Sequence, residues 1–187
     1  EGRDVGVVRN SSRFDIPGSK GHYVSAGVGG GITGVGCTVG IIDDPVKNAS
    51  EADSQTYRNS AWEWYTSTFK TRFEPGCVEI VCQTRWHEDD LTGRILQMIG
   101  TDPNTEIISF PALAEHDEQH RQTGDALWDG KYPRPELLQK KVEVGTRAWN
   151  ALYQQRPAPD EGGLLKKAWF AEYDPAKVDL NLFPTRF

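Results

Sequence analysis

Two β-prone runs sit in the middle of the chain, and each is followed by a segment with helical spacing. Residues 37–42 read CTVGII and residues 77–84 read CVEIVCQT. The first run is apolar on both faces, the pattern of an interior strand in a parallel sheet. Between the runs, Tyr57, Ala61, Tyr65 and Phe69 recur every fourth position and predict a buried helical stripe, flanked by Trp62 and Trp64. Asn48 and Ser50 are candidate caps, with Glu51 and Asp53 three positions beyond them, and Pro75-Gly76 stops the helix. After the second run, Glu88, Asp89 and Asp90 fall in the first turn of another helix, where negative charge suits the helix dipole. Its stripe is Leu91, Ile95, Leu96 and Ile99. Residues 105–110, TEIISF, predict a third strand. Strand, helix, strand, helix, strand over 37–110 specifies an α/β fold with a parallel sheet.

The flanks are different in kind. Residues 1–26 hold short strand-like pieces, VGVV and HYVSAG, broken by Pro17 and glycines. Residues 27–36, GVGGGITGVG, predict a flexible loop. After Pro111 a polar stretch leads to two short helices over 135–144 and 146–155, with Leu138 and Val142, then Ala148 and Leu152, as their apolar positions. Residues 156–163, RPAPDEGG, have linker composition. The tail carries aromatic anchors but is too short to form a domain.

Composition narrows the functional classes. With 37% apolar and 26% charged residues, the chain reads as a globular protein and not a disordered one. No apolar run approaches the ~20 residues that span a bilayer. The opening EGRDVGVVRN lacks basic-then-apolar character, so no export signal is expected. Cys37, Cys77 and Cys82 have no metal-ligand spacing and are expected to be small buried hydrophobes of a reducing cytoplasm. Cys77 and Cys82, five apart on one strand, should face opposite sides and not pair. A net charge of −6 argues against a general nucleic-acid clamp. Lys131, Arg134, Lys140, Lys141 and Arg147 form a candidate basic patch, although a solvated helix face is the favoured reading of such a charge run.

The chemistry gathers at the strand ends. In open α/β sheets, ligands bind beyond the carboxyl ends of the strands. One run ends on Asp43-Asp44, the other on Thr84, Arg85 and His87. Adjacent carboxylates repel unless a cation relieves them, and a divalent metal at such an edge points to phosphate chemistry. A hydrophobic strand ending in Asp-acid is also the Walker B pattern of P-loop ATPases, in which the first carboxylate holds Mg²⁺ and the second orients the attacking water. The pattern equally fits two aspartates that cap the next helix. GGGITG matches G-x-G-x-x-G but precedes a strand and not a helix, so it reads as a mobile loop beside the nucleotide cleft or as a plain connection. No G-x-x-x-x-G-K-[ST] occurs in the chain. His87, Asp89 and Asp90 have poor metal-ligand spacing, and the next histidine is His116. A hydrogen-bonded structural role suits His87 better.

Five segments in order carry a specific resemblance: AGVGGGITGVG, IIDDPVKNASEADSQTYR, WEWYTSTFKTRFEPG, QTRWHEDDLTGRIL and ALYQQRPAPDEGG. Together, over residues 8–174, they resemble the large terminase subunit of tailed bacteriophages and prophages. The resemblance implies a P-loop ATPase domain, of which residues 1–110 are the C-terminal part, with a helical linker subdomain over 111–160. Residues 161–187 would lead into an RNase H-like nuclease domain. It implies ATP and Mg²⁺ as cofactors, with Asp43 as the Walker B metal ligand acting through water and Asp44 as the catalytic carboxylate. Thr84, with Arg85 beside it, would couple hydrolysis to movement. It further implies double-stranded DNA, a portal protein and a small terminase subunit as partners, a homo-oligomeric ring, and a place in the bacterial host cytoplasm, transiently at the procapsid portal.

Three departures from the family pattern stand out. The Walker A loop would lie upstream of Glu1, the nuclease carboxylates would lie beyond Phe187, and Asp44 stands where many relatives carry Glu. No arginine lies between Arg13 and Arg58, so an arginine finger is not assigned. Two other readings use the same residues. One is a degenerate prophage fragment serving as a non-catalytic interaction module through the aromatic helix at 57–73. The other is a metal nuclease built on Asp43, Asp44, His87 and Asp90.

Overall fold

The computed structural model describes residues 10–32 and 34–158. The VGVV piece, most of the 156–163 linker and the 161–187 tail lie outside the described residues. The described residues open with a small antiparallel hairpin, β1 (Arg13–Asp15) and β2 (His22–Val24), in which Phe14 stacks on Tyr23.

The main element is a parallel pair, β3 (Cys37–Asp43) and β4 (Phe73–Cys82), with Val39 opposite Val78, Ile41 opposite Ile80 and Asp43 opposite Cys82. The helical crossover between them consists of α1 (Ala49–Asp53) and α2 (Gln55–Trp64), continued by a π turn over Tyr65–Phe69 and a 3₁₀ turn over Lys70–Arg72. A parallel pair demands such a crossover. The helix is split because Ser54 leaves the helical region to become the N-cap of α2, where its hydroxyl accepts from Tyr57 N. Asn48, and not Ser50, caps α1.

The second half of the predicted stripe, Tyr65 and Phe69, enters the core, while Ala61 is buried and Tyr57 only half-buried. Ile42, Tyr65, Phe69 and Leu91 are buried together, with Trp62, Trp64, Phe73, Val81 and Ile95 packed around them. Each such side chain contributes roughly 1.5–3 kcal/mol on burial. Gly40 is what lets the helix sit so close to the strand. A Cβ there would lie 2.8 Å from Phe73 Cε1 and 2.9 Å from Phe69 Cζ. Gly40→Val should therefore overpack the core and cost about 1–3 kcal/mol, read as a lower urea midpoint; an unchanged midpoint would refute this packing argument.

Helix α3 (Leu91–Ile99) follows β4. Asp90 is its N-cap and lies just outside the first turn in which the spacing placed it. Leu91 is buried and Ile95 packs on the core, as the stripe predicts.

Three expectations fail. Residues 105–110 form no strand, and Ile107 and Ile108 are each 64% exposed. A β-prone run becomes a strand only beside a partner, and none among the described residues pairs with it. The strand at 37–42 is not buried on both faces: Val39, Ile41, Val78 and Ile80 are all about half exposed on the face away from the helices. In the C-terminal part, α4 (Arg134–Ala148) breaks at Gly145, whose φ of +78° suits glycine, and a π turn follows over Trp149–Tyr153. That matches two short helices, but with a different buried face. Leu137 is buried where Leu138 was expected, Val142 is 83% exposed, and Trp149 and Ala151 replace Ala148 and Leu152 as the buried positions. Ala126, Leu137 and Trp149 form a second cluster, distinct from the first. Among the described residues the architecture is a mixed α/β one, with a small parallel sheet, flanking helices and no closed barrel.

Candidate functional site

The parallel pairing brings the carboxyl ends of β3 and β4 together. Asp43 ends β3 opposite Cys82 and is exposed, and its carboxylate makes no hydrogen bond or ion pair among the described residues. Asp44 has a φ of +40°, a left-handed conformation that is unusual outside glycine and is best tolerated by Asp and Asn. Two hydrogen bonds hold it there. Its backbone N–H donates to Cys82 O at 2.9 Å, and its Oδ1 accepts from Thr84 N at 2.8 Å. Strain of this kind persists only where the surroundings enforce it, and it gathers at functional sites. Asp43, Asp44 and Thr84 are thus brought to one edge, with the Thr84 hydroxyl making no hydrogen bond among the described residues.

Arg85 does not join them. Its Nε donates to both carboxylate oxygens of Asp90, at 3.0 and 2.9 Å, and the Asp90 side chain is fully buried. Asp90 also accepts from Trp86 N and from Gly93 N, capping α3. Gln83 grips the same helix start, its Oε1 accepting from the Thr92 hydroxyl at 2.7 Å. Thr84 is therefore bracketed by two residues anchored to α3. A substituent at Gly93 would collide with Glu88 O, so this junction admits only glycine.

His87 has the structural role its spacing suggests, since Nδ1 accepts from Asp89 N at 3.0 Å. Asp89 is paired with Arg94 and Arg58, and these partners pull its carboxyl down to about 2, Arg94 first, against the opposing effect of burial. A lowered folded-state value means that this contribution to stability is present above the ordinary carboxylate range and is lost as pH falls toward 2. Asp90 and His87 are committed to these bonds, so the four-residue nuclease constellation with Asp43 and Asp44 does not assemble. Among the described residues no group of three or more His, Cys, Asp or Glu converges as a metal cage.

The glycine loop has the place of a connection into β3, one of the two readings its sequence allows. It enters β3 at the amino end, where Gly36 meets Glu74, and its Gly30 O accepts from Trp64 Nε1 at 3.1 Å. These contacts are at the edge opposite Asp43. Four of the five basic-patch candidates have local partners. Lys140 pairs with Glu143, Arg147 with Asp53, Lys131 lies over the Trp128 and Tyr132 rings, and Lys141 lies over Trp149. The aromatic face at 57–73 is occupied too, because Tyr65 and Phe69 are core.

Gln154 went unnoticed in the sequence apart from its place in the LYQQRP segment. It is buried, accepts from Leu113 N, and donates to Leu113 O and Glu115 Oε1, all at 3.0 Å. Gln155 accepts from Phe110 N. The two glutamines pin residues 110–115 to the end of the turn over Trp149–Tyr153. A glutamine pair before Arg-Pro carries no periodic signal that would have revealed this.

Among the described residues no helix is long and apolar enough to cross a membrane. No family model, curated protein or solved structure matches the chain.

Proposed function

We propose that this chain is part of the large terminase subunit of a tailed bacteriophage or prophage, of the P-loop ATPase class, which drives double-stranded DNA into a procapsid by hydrolysing ATP. The observation that carries the reading is the hydrogen bond from Thr84 N to Asp44 Oδ1. It joins the second acid of an Asp-Asp strand end to the tip of the parallel neighbour. The five ordered segments of the resemblance support the same assignment.

The donor chemistry fits Mg²⁺. That ion keeps several waters and takes one or two protein carboxylates together with phosphate oxygens, and Asp43 offers one exposed, uncommitted carboxylate. Bound there, the metal would neutralise phosphate charge. Asp44 spends one oxygen on Thr84 and keeps the other for positioning or deprotonating a water. Its fixed backbone holds that oxygen at the edge beside Asp43. Thr84 offers a hydroxyl to the phosphate edge. Its neighbours Gln83 and Arg85 are tied to α3, so a shift at Thr84 would be passed to that helix. Arg85 in this reading positions the segment and does not touch nucleotide. The partners that go with the function are DNA, a portal protein, a small terminase subunit and further copies in a ring, in the bacterial host cytoplasm and at the procapsid.

Asp44→Asn is the discriminating variant. It keeps an acceptor for Thr84 N but removes the charge. Hydrolysis by the complete gene product should fall about a hundredfold, within the usual range for losing a positioned general base. Binding of Mg²⁺-nucleotide, followed by calorimetry, should persist. Wild-type turnover in this variant would refute the role given to Asp44.

A second reading, a prophage fragment acting as a non-catalytic interaction module, draws on a different observation. The face bearing Val39, Ile41, Val78 and Ile80 is apolar and open.

A further inference from the structure

Cys37 and Cys77 are 40 positions apart in sequence, yet their Sγ atoms lie 3.8 Å from one another. The contact arises at the amino end of the parallel pair. Cys37 is opposite Phe73 and Val39 is opposite Val78, so two steps along β3 match five along β4. The surplus residues bulge through Gly76, which has a φ of +82°, and the chain returns with Cys77 beside Cys37. Both thiols are half-buried, whereas Cys82 is exposed.

We propose that Cys37 and Cys77 are a reversible redox-modification site, closing to a disulfide that clamps the amino edge of β3 to β4. Bond formation needs the sulfurs to approach to about 2.05 Å, a shift within reach of small changes in the two cysteine side-chain torsions. Cys82 cannot compete within the fold. It lies five residues from Cys77 on the same extended strand, about 16 Å along it.

The oxidant is a low-molecular-weight disulfide. The Cys77 thiolate attacks one of its sulfurs, forming a mixed disulfide and releasing one small thiol. Cys37 then loses its proton and attacks the Cys77 sulfur, releasing the second. Two cysteine thiols become one disulfide, and one small disulfide becomes two thiols. Burial first, then the neighbouring Cys77, pushes the Cys37 thiol up to about 11, which disfavours Cys37 as the first attacking thiolate. The proposal is independent of any nucleotide chemistry, since the pair lies at the edge away from Asp43.

The test uses the wild-type chain, equilibrated with oxidised glutathione once in native buffer and once in concentrated urea. Remaining thiols are then alkylated and the peptides mapped by mass. In urea the short loop favours Cys77–Cys82 over Cys37–Cys77 by about twentyfold on loop-closure entropy alone, for spans of 5 and 40 residues. The native fold should reverse that order, giving Cys37–Cys77 with Cys82 alkylated, two hydrogens lost, and reversal by dithiothreitol. The oxidised chain should also melt several degrees higher than the reduced one. Free Cys37 and Cys77 in native buffer, a persistent glutathione adduct on Cys77, or the same Cys77–Cys82 product in both solvents would each overturn the proposal.

Discussion

Asp43→Ala should lower Mg²⁺-dependent ATP hydrolysis by the complete gene product roughly a hundredfold or more, since a metal that stabilises phosphoryl charge is worth several kcal/mol and each 1.36 kcal/mol is tenfold in rate. The same substitution should leave stability within about 0.5 kcal/mol, as expected for an exposed position without structural bonds. That separation makes the variant informative. Asp43 is the last residue of β3, and its carboxylate has no partner among the described residues, so the fold gives no reason for a carboxylate there. Loss of turnover with an unchanged urea midpoint would assign it to chemistry. Loss of both would make Asp43 a structural residue after all.

The largest effect on stability should come from the other end of the same edge. Asp90→Ala removes the cap of α3 and strands the Arg85 guanidinium, whose side chain is only 15% exposed. Breaking a buried pair by deleting one partner typically costs about 3–5 kcal/mol, because the remaining charge is left uncompensated. A lost cap alone is worth only about 1 kcal/mol. The expected result is a loss in the upper range, read from urea unfolding with an unchanged m-value. Asp90→Asn keeps an acceptor for Gly93 N and should cost less. If alanine and asparagine were equally mild, near 1 kcal/mol, the ion pair would contribute nothing and only the cap would matter.

These two aspartates show what the sequence could reveal. The β3–helix–β4–α3 order was readable from two β-prone apolar runs and from four-residue spacing, which reflects burial directly, and Tyr65, Phe69 and Leu91 are buried as the stripes require. Residues 105–110 misled because β propensity describes a side chain's fit to a sheet and not the presence of a partner strand. Val39 and Ile41 misled in the same way, since an apolar residue is no guarantee of a covering layer. The shift from Leu138 to Leu137 in α4 is a rotation of one residue, set by how Trp149 packs, which a short periodic pattern does not fix.

At the site, the convergence of Asp43, Asp44 and Thr84 followed from placing two strand ends side by side. The separate fate of Arg85 did not. Adjacent residues at a strand end diverge, and the buried Asp90 five positions later takes the guanidinium. The Cys37–Cys77 contact was hidden for a related reason, because it depends on a bulge that shifts the strand register.

The most direct test of the central claim locates the cation itself. Fe²⁺ would replace Mg²⁺ in the complete gene product, with nucleotide present, and peroxide and ascorbate would cut the backbone beside the metal. The account predicts nucleotide-dependent cuts next to Asp43 and at residues 83–84, abolished in Asp43→Ala. Cuts confined to other segments, or no nucleotide-dependent cut at either strand end, would contradict it.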